Sequence, residues 1–214
     1  MAKLSGPMLA PKSGGPAKQA VVLLHGYGAD GSDLIGLGHH WGPLLPDALF
    51  VSPNAPEPCA GSPFGFQWFP LAVDRIAGRI EGARNAAPVI IELLEDLWSQ
   101  GQITPANTYL IGFSQGAMMA LHVGTALPQR LGGIVSFSGA FVPADGFPTD
   151  DRPAVALIHG DLDQVVDPQL SRQAADDLLA AGFDVTLHIS AGVAHGIAPD
   201  GLDFATSFLL AQNS

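Results

Sequence analysis

Cysteine is almost missing from this chain: Cys59 is the only one among 214 residues. A lone thiol excludes an internal disulfide and leaves no partner cysteines for a thiolate metal site. Positive charge is nearly as scarce. All three lysines (Lys3, Lys12 and Lys18) fall in the first 18 residues, so six arginines face twenty carboxylates and the net charge is −11. Such a surface repels phosphate backbones and anionic lipid heads, which argues against nucleic acid as a partner and against stable membrane association. No stretch approaches the roughly 18 apolar residues of a membrane-spanning helix. The basic start lacks the apolar run of a secretory signal, and its glycines and prolines deny it an amphipathic targeting helix. A cytoplasmic protein is therefore expected.

What is present is a globular chain. Hydrophobic residues make up 47%, and the length suits one α/β domain with a sizeable core. The 26 glycines and 18 prolines are scattered, which predicts many tight loops rather than a repeat. Residues 1–18 read as an N-terminal arm with a short strand inside it, and residues 19–214 as a single domain. Ala20 to Leu24, Ala48 to Ser52, Tyr109 to Ile111, Gly133 to Ser138, Ala154 to Ile158 and Val185 to Ile189 are compact apolar runs of the kind that form buried parallel strands. Helical patterns separate them: from a cap at Asp30 or Ser32 to Trp41, from Asp74 to Gln100, from Gln115 to Leu127, from Pro168 to Ala181, and from Phe204 to Leu210. Strands alternating with helices predict a mostly parallel sheet with helices on both faces.

The chemistry gathers around Gly112-Phe113-Ser114-Gln115-Gly116. Gly-x-Ser-x-Gly is a short pattern, but here it follows a buried strand and opens a helix. In that setting the serine occupies a sharp strained turn, and its hydroxyl stands above the sheet edge. A serine oxygen needs a base to take its proton, and the base needs an acid to orient it. In this architecture the acid and then the histidine follow the serine along the chain. Three histidines lie well beyond Ser114. His159 abuts a strand end and His188 sits within a strand pattern, whereas His195 lies in a Gly-rich loop after the last strand, where loops gather at the strands' carboxyl ends. His195 is the expected base. For the acid, Asp161 and Asp163 both leave a strand at the correct end, and Asp167 before Pro168 resembles a helix cap. Local spacing leaves Asp161 and Asp163 open. Two backbone N–H donors are also needed for a developing oxyanion, and Tyr27 in His25-Gly26-Tyr27-Gly28 and Gln115 after the serine suit that role. Phe64, Phe66, Trp68, Phe69 and Leu71 form the densest aromatic and apolar cluster, an expected wall for an apolar acyl chain.

With these residues in view, the chain resembles the small bacterial carboxylesterase and phospholipase family, which includes the acyl-protein thioesterases. Leu24-His25-Gly26-Tyr27-Gly28-Ala29-Asp30, Gln67-Trp68-Phe69, Gly112 to Met118, His159-Gly160-Asp161-Leu162-Asp163-Gln164-Val165-Val166 and His195-Gly196 carry the resemblance in the family's order. It implies an α/β-hydrolase fold without a large cap domain, and a serine carboxylesterase working through an acyl-enzyme; the aromatic and apolar cluster adds the expectation of short- to medium-chain esters. It also implies Asp163 as the acid and the Tyr27 and Gln115 amides as oxyanion donors. No cofactor and no metal are implied, the partner is a small-molecule ester, and the family is often dimeric, so a homodimer is admitted. A lysophospholipase or acyl-protein thioesterase would use the same triad. A dienelactone-type hydrolase usually has cysteine where Ser114 stands, and a non-catalytic binding protein of this fold would be expected to have lost a triad member.

Overall fold

The apolar runs assemble into one twisted sheet. The computed structural model describes residues 4–59, 62–71, 75–147 and 151–213; Lys3 and Asp74, the expected start of the long helix, lie outside them. The strands are β1 (Met8–Leu9), β2 (Gln19–Leu24), β3 (Ala48–Val51), β4 (Glu57–Pro58), β5 (Phe66–Gln67), β6 (Thr108–Phe113), β7 (Gly133–Phe137), β8 (Val155–Gly160) and β9 (Val185–Ser190). The helices are α1 (Gly31–Trp41), α2 (Arg75–Trp98), α3 (Gln115–Ala126), α4 (Gln169–Ala180) and α5 (Pro199–Gln212).

Seven strands form the main sheet in the order β1-β3-β2-β6-β7-β8-β9. All pairings are parallel except β1 with β3, where Met8 lies opposite Val51 and Leu9 opposite Phe50. The arm is thus stitched to the sheet edge through the short strand expected within it. Alternation along each strand feeds two apolar layers. Val22, Leu110, Ile134 and Leu157 meet α2, α3 and α4 on one face, and Val21, Ile111, Val135 and Ala156 meet α1 and α5 on the other. Both faces are covered, which is why the strands read as continuous apolar runs rather than alternating ones. This is the α/β-hydrolase fold. Among the described residues, no helix is long and apolar enough to cross a membrane.

Two elements differ from expectation. α5 starts at Pro199, five residues before the apolar stretch that signalled it. Pro199, Asp200 and Gly201 look like loop residues in isolation, but proline suits the first helical position, and Gly201 is buried against Ile158. The loop after β3 holds the two-stranded hairpin β4–β5, in which Glu57 pairs with Gln67 and Pro58 with Phe66. Strands of two residues leave no periodicity to detect.

The sheet places the site. The chain adds its strands to opposite sides of the β2–β6 pair, β3 beside β2 and β7 to β9 beyond β6, and ligands in open α/β sheets bind at such a switch point, beyond the strands' carboxyl ends. The loop after β2 carries Tyr27, and the turn after β6 carries Ser114.

Candidate active site

Ser114 sits between β6 and α3 with φ 54° and ψ −114°, a left-handed conformation that costs a non-glycine residue about 1–3 kcal/mol. The surroundings hold it there. Its N–H donates to the Phe137 carbonyl at 2.9 Å, and its own carbonyl accepts from the Met118 N–H at 3.1 Å. The flanking glycines are required by close approach: a Cβ on Gly112 would overlap the Gly116 carbonyl, and one on Gly116 would overlap the Leu24 carbonyl. Every residue from Gln115 to Thr125 is buried, so α3 is a central helix packed tightly against the sheet.

His195 and Asp163 converge on this turn from two different loops. His195 Nε2 lies 3.0 Å from Ser114 Oγ, and His195 Nδ1 lies 2.6 Å from Asp163 Oδ2. The Phe113 ring packs against the imidazole at a centroid distance of 4.9 Å. Asp163 Oδ1 accepts from the Val165 and Val166 amides at 2.8 and 3.0 Å. Burial alone would push the Asp163 carboxyl up. The hydrogen bonds from His195, Val166 and Val165, together with the charge of His195, outweigh burial and hold it below the usual carboxylate range. The arrangement is a serine hydroxyl, an imidazole and a carboxylate in one hydrogen-bonded line.

The other candidates go elsewhere. Asp161 Oδ1 accepts from the Gly192 N–H, which ties the loop carrying His195 to the end of β8. Asp167 accepts from the Gln169 N–H at the start of α4, as a capping residue does. His188 pairs with Asp200 at 2.8 Å and stacks on Phe204. Among the described residues, no group of three His, Cys, Asp or Glu side chains is arranged to hold a metal ion.

A cleft of about 440 Å³ opens over Ser114 and His195. Tyr27 and Gln115 line it, as do Phe69 and Leu71 from the expected acyl wall. Phe64 and Trp68 are not among its lining residues. Phe64 points to solvent, 87% exposed, while Trp68 is buried and donates its indole N–H to the His25 carbonyl. Met118, Val165, Val166, Gly78 and Arg79 complete the walls. Sequence reasoning had no means of finding them, because they come from three separate segments.

The Gln115 side chain is a further functional part that its sequence position did not announce. Its Oε1 accepts from the Trp68 N–H at 2.9 Å, and its Nε2 donates to the Phe69 carbonyl at 2.8 Å. One amide therefore clamps the Trp68–Phe69 wall to the start of α3. His25 braces the loop of Tyr27 in a similar way. Its Nδ1 donates to the Gly26 carbonyl, and its Nε2 accepts from the Ala55 N–H. Burial pushes the His25 imidazole below its ordinary value despite the Gly26 carbonyl and the charges of Asp33 and Asp30.

Comparison with known proteins adds four likenesses. A family model described as phospholipase/carboxylesterase matches residues 10–213. Esterase YpfH of Escherichia coli strain K12 is 34% identical over 199 residues, covering 91% of this chain and 83% of that protein. Acyl-protein thioesterase 1 of Saccharomyces cerevisiae is 30% identical over 214 residues, covering 91% and 92% of the two. Among solved structures, esterase PE8 superposes with a TM-score of 0.90 at 51% identity, with 97% of this chain and 98% of that one covered.

Proposed function

The chain belongs to the phospholipase/carboxylesterase family and is a carboxylic ester hydrolase, and from that premise we propose that it is a serine esterase of short- to medium-chain carboxylic esters. Ser114 is its nucleophile, His195 its base and Asp163 its acid. The observation that carries this reading is the unbroken line from Ser114 Oγ through the His195 ring to Asp163 Oδ2, at 3.0 and 2.6 Å.

His195 Nε2 takes the Ser114 proton as the oxygen attacks the ester carbonyl, and Asp163 stabilises the imidazolium that forms. The main-chain amides of Tyr27 and Gln115 receive the oxyanion; the Gln115 amide opens α3, where the first N–H groups have no partner within the helix. The alcohol leaves with the proton from His195. Water, deprotonated by His195, then attacks the acyl-enzyme, and Ser114 regains its proton. The acyl chain lies along Phe69, Leu71 and Met118, whose apolar surfaces suit a hydrocarbon of modest length.

A thioester substrate is the second reading, favoured by the likeness to a protein named acyl-protein thioesterase 1. The same triad attacks a thioester carbonyl, with a thiol in place of the alcohol as leaving group. Paired ester and thioester substrates of equal acyl length separate the two by kcat/KM.

The primary test is labelling with a fluorophosphonate probe, followed by mapping of the modified residue. Labelling on Ser114 is expected, and a folded protein that does not label removes the serine-esterase reading. On an aryl ester of a short fatty acid, Ser114→Ala loses on the order of 10⁶-fold in kcat. Equal rates for the two proteins would overturn the assignment.

A further inference from the structure

Behind the carboxylate that meets His195 lies a second imidazole that the reaction above does not use. His159, next to last in β8, has a side chain with no exposed surface. Alternation along β8 turns it toward α4, on the side of Val155 and Leu157. Its Nε2 lies 2.9 Å from the Val166 carbonyl and 3.1 Å from Asp163 Oδ2, and its Nδ1 lies 2.6 Å from Ser171 Oγ on α4. A carbonyl oxygen can only accept, so Nε2 carries the hydrogen. In the neutral ring Nδ1 accepts from the Ser171 hydroxyl, which donates to it at 2.6 Å in preference to the more distant Gly139 carbonyl at 3.4 Å. Burial, outweighing the Val166 carbonyl and Asp163, pushes this imidazole below its ordinary value. Burial thus favours the neutral ring, with its hydrogen on Nε2.

Asp163 Oδ2 therefore lies between two imidazoles, His195 on the open side and His159 on the sealed side, while Oδ1 is held by two backbone amides. We propose that His159 is a positioning residue of the triad: locked in one tautomer by Ser171, its Nε2–H holds Asp163 Oδ2 in line with His195. The inference rests on the serine-esterase reading. It has two consequences. The carboxylate cannot swing about its side-chain bond when His195 becomes charged, and a neutral donor on Oδ2 draws off part of the charge that supports the imidazolium. His159 keeps its own proton throughout turnover.

Several charged or titratable groups surround this line. The loop after β8 supplies Asp161, bound to the Gly192 amide, and Asp163; the loop after β9 supplies His195; α2 supplies Arg79, which lines the same cleft. α4 contributes the uncharged Ser171, and the turn before α3 contributes Ser114.

The test compares His159→Leu, His159→Gln and Ser171→Ala with the wild type in kcat, KM and the pH profile of kcat/KM. Glutamine can place its Nε2–H where the histidine has one, and leucine cannot. His159→Leu is expected to lower kcat about 10-fold with KM within about 2-fold, as a small misplacement of a reacting group does. Its acid limb should move to higher pH by about half a unit, because Oδ2 loses one donor and supports a charged His195 more strongly. His159→Gln should restore the limb, and Ser171→Ala should shift it in the same direction by less. An unshifted limb in His159→Leu, or an equal shift in His159→Gln, overturns the proposal and leaves His159 a packing residue. If His159→Leu does not fold, Ser171→Ala decides, and a limb identical to wild type overturns the proposal. Fluorophosphonate labelling of the wild type keeps the two claims apart. A protein that does not label fails the esterase reading itself, whereas one that labels normally but has an unmoved limb fails only the role of His159.

Discussion

The floor and the rim of the cleft have opposite physical character. The floor is the β6–α3 turn and the helix behind it, where each residue from Gln115 to Thr125 is buried and Ser114 is held in a left-handed conformation. The rim carries apolar side chains that the core does not need: Leu71 is 68% exposed and Val165 61%. A floor under strain requires surroundings that over-determine it, and here these are a hydrogen bond from Ser114 to β7 and two glycines in backbone contact. On the proposed reading the rim meets interchangeable hydrocarbon, which needs no such constraint. In that reading chemistry belongs to the rigid part and selectivity to the soft part.

The largest effect expected from this difference is on folding of the floor. Gly116→Ala forces a methyl group into the Leu24 carbonyl, an overlap that flexible side chains cannot relieve, and should cost more than about 3 kcal/mol. Denaturant unfolding measures it; a variant as stable as the wild type would mean that the packing of α3 on β2 is far looser than described. The two glycines of the motif were legible in the sequence, and their reason is visible only here.

A smaller effect concerns pH. His25 and His159 are both buried and both pushed below the ordinary imidazole value, so between their folded values and about 6.5 the unfolded chain binds more protons than the folded one. Their contribution to stability is complete above about pH 6.5 and declines as pH falls, by up to about 1.4 kcal/mol per pH unit for each histidine. Protonation of His25 would also turn a donor toward the Ala55 N–H that its Nε2 now accepts. The Asp163 carboxyl, held low, loses its contribution only at more acidic pH. Thermal melts from pH 8 to pH 5 check this, and a flat Tm over that range would contradict it.

The smallest effects lie on the rim. Leu71→Ala should raise KM for the longer acyl esters by roughly 3- to 10-fold, the worth of a lost apolar contact in a binding pocket, with kcat nearly unchanged. Phe64→Ala should change neither KM nor stability beyond about 0.5 kcal/mol, since the ring stands in solvent. A Phe64 variant with a larger KM shift than the Leu71 variant would reverse the positions of the two side chains relative to the substrate.

By itself the sequence determined the parts that depend on local pattern. Buried strands announce themselves as apolar runs, a serine between a strand and a helix announces a strained turn, and a proline after Asp167 announces a helix start. These features depend on neighbours in the chain, and composition and spacing record them. Tertiary structure decided what depends on partners distant in sequence. Local spacing left Asp161 and Asp163 open, and only the family resemblance pointed to Asp163; in the structure one binds the Gly192 amide and the other meets His195. Phe64 and Phe69 belong to one aromatic cluster, yet one faces water and the other lines the cleft. The clamp of Gln115 on Trp68 and Phe69, and the contact of His159 with Asp163 and Ser171, exist only once the sheet has brought β8, α4 and the loops together. Hydrogen bonds and close packing act over a few ångströms, and no spacing along the chain encodes which distant atoms will come that near.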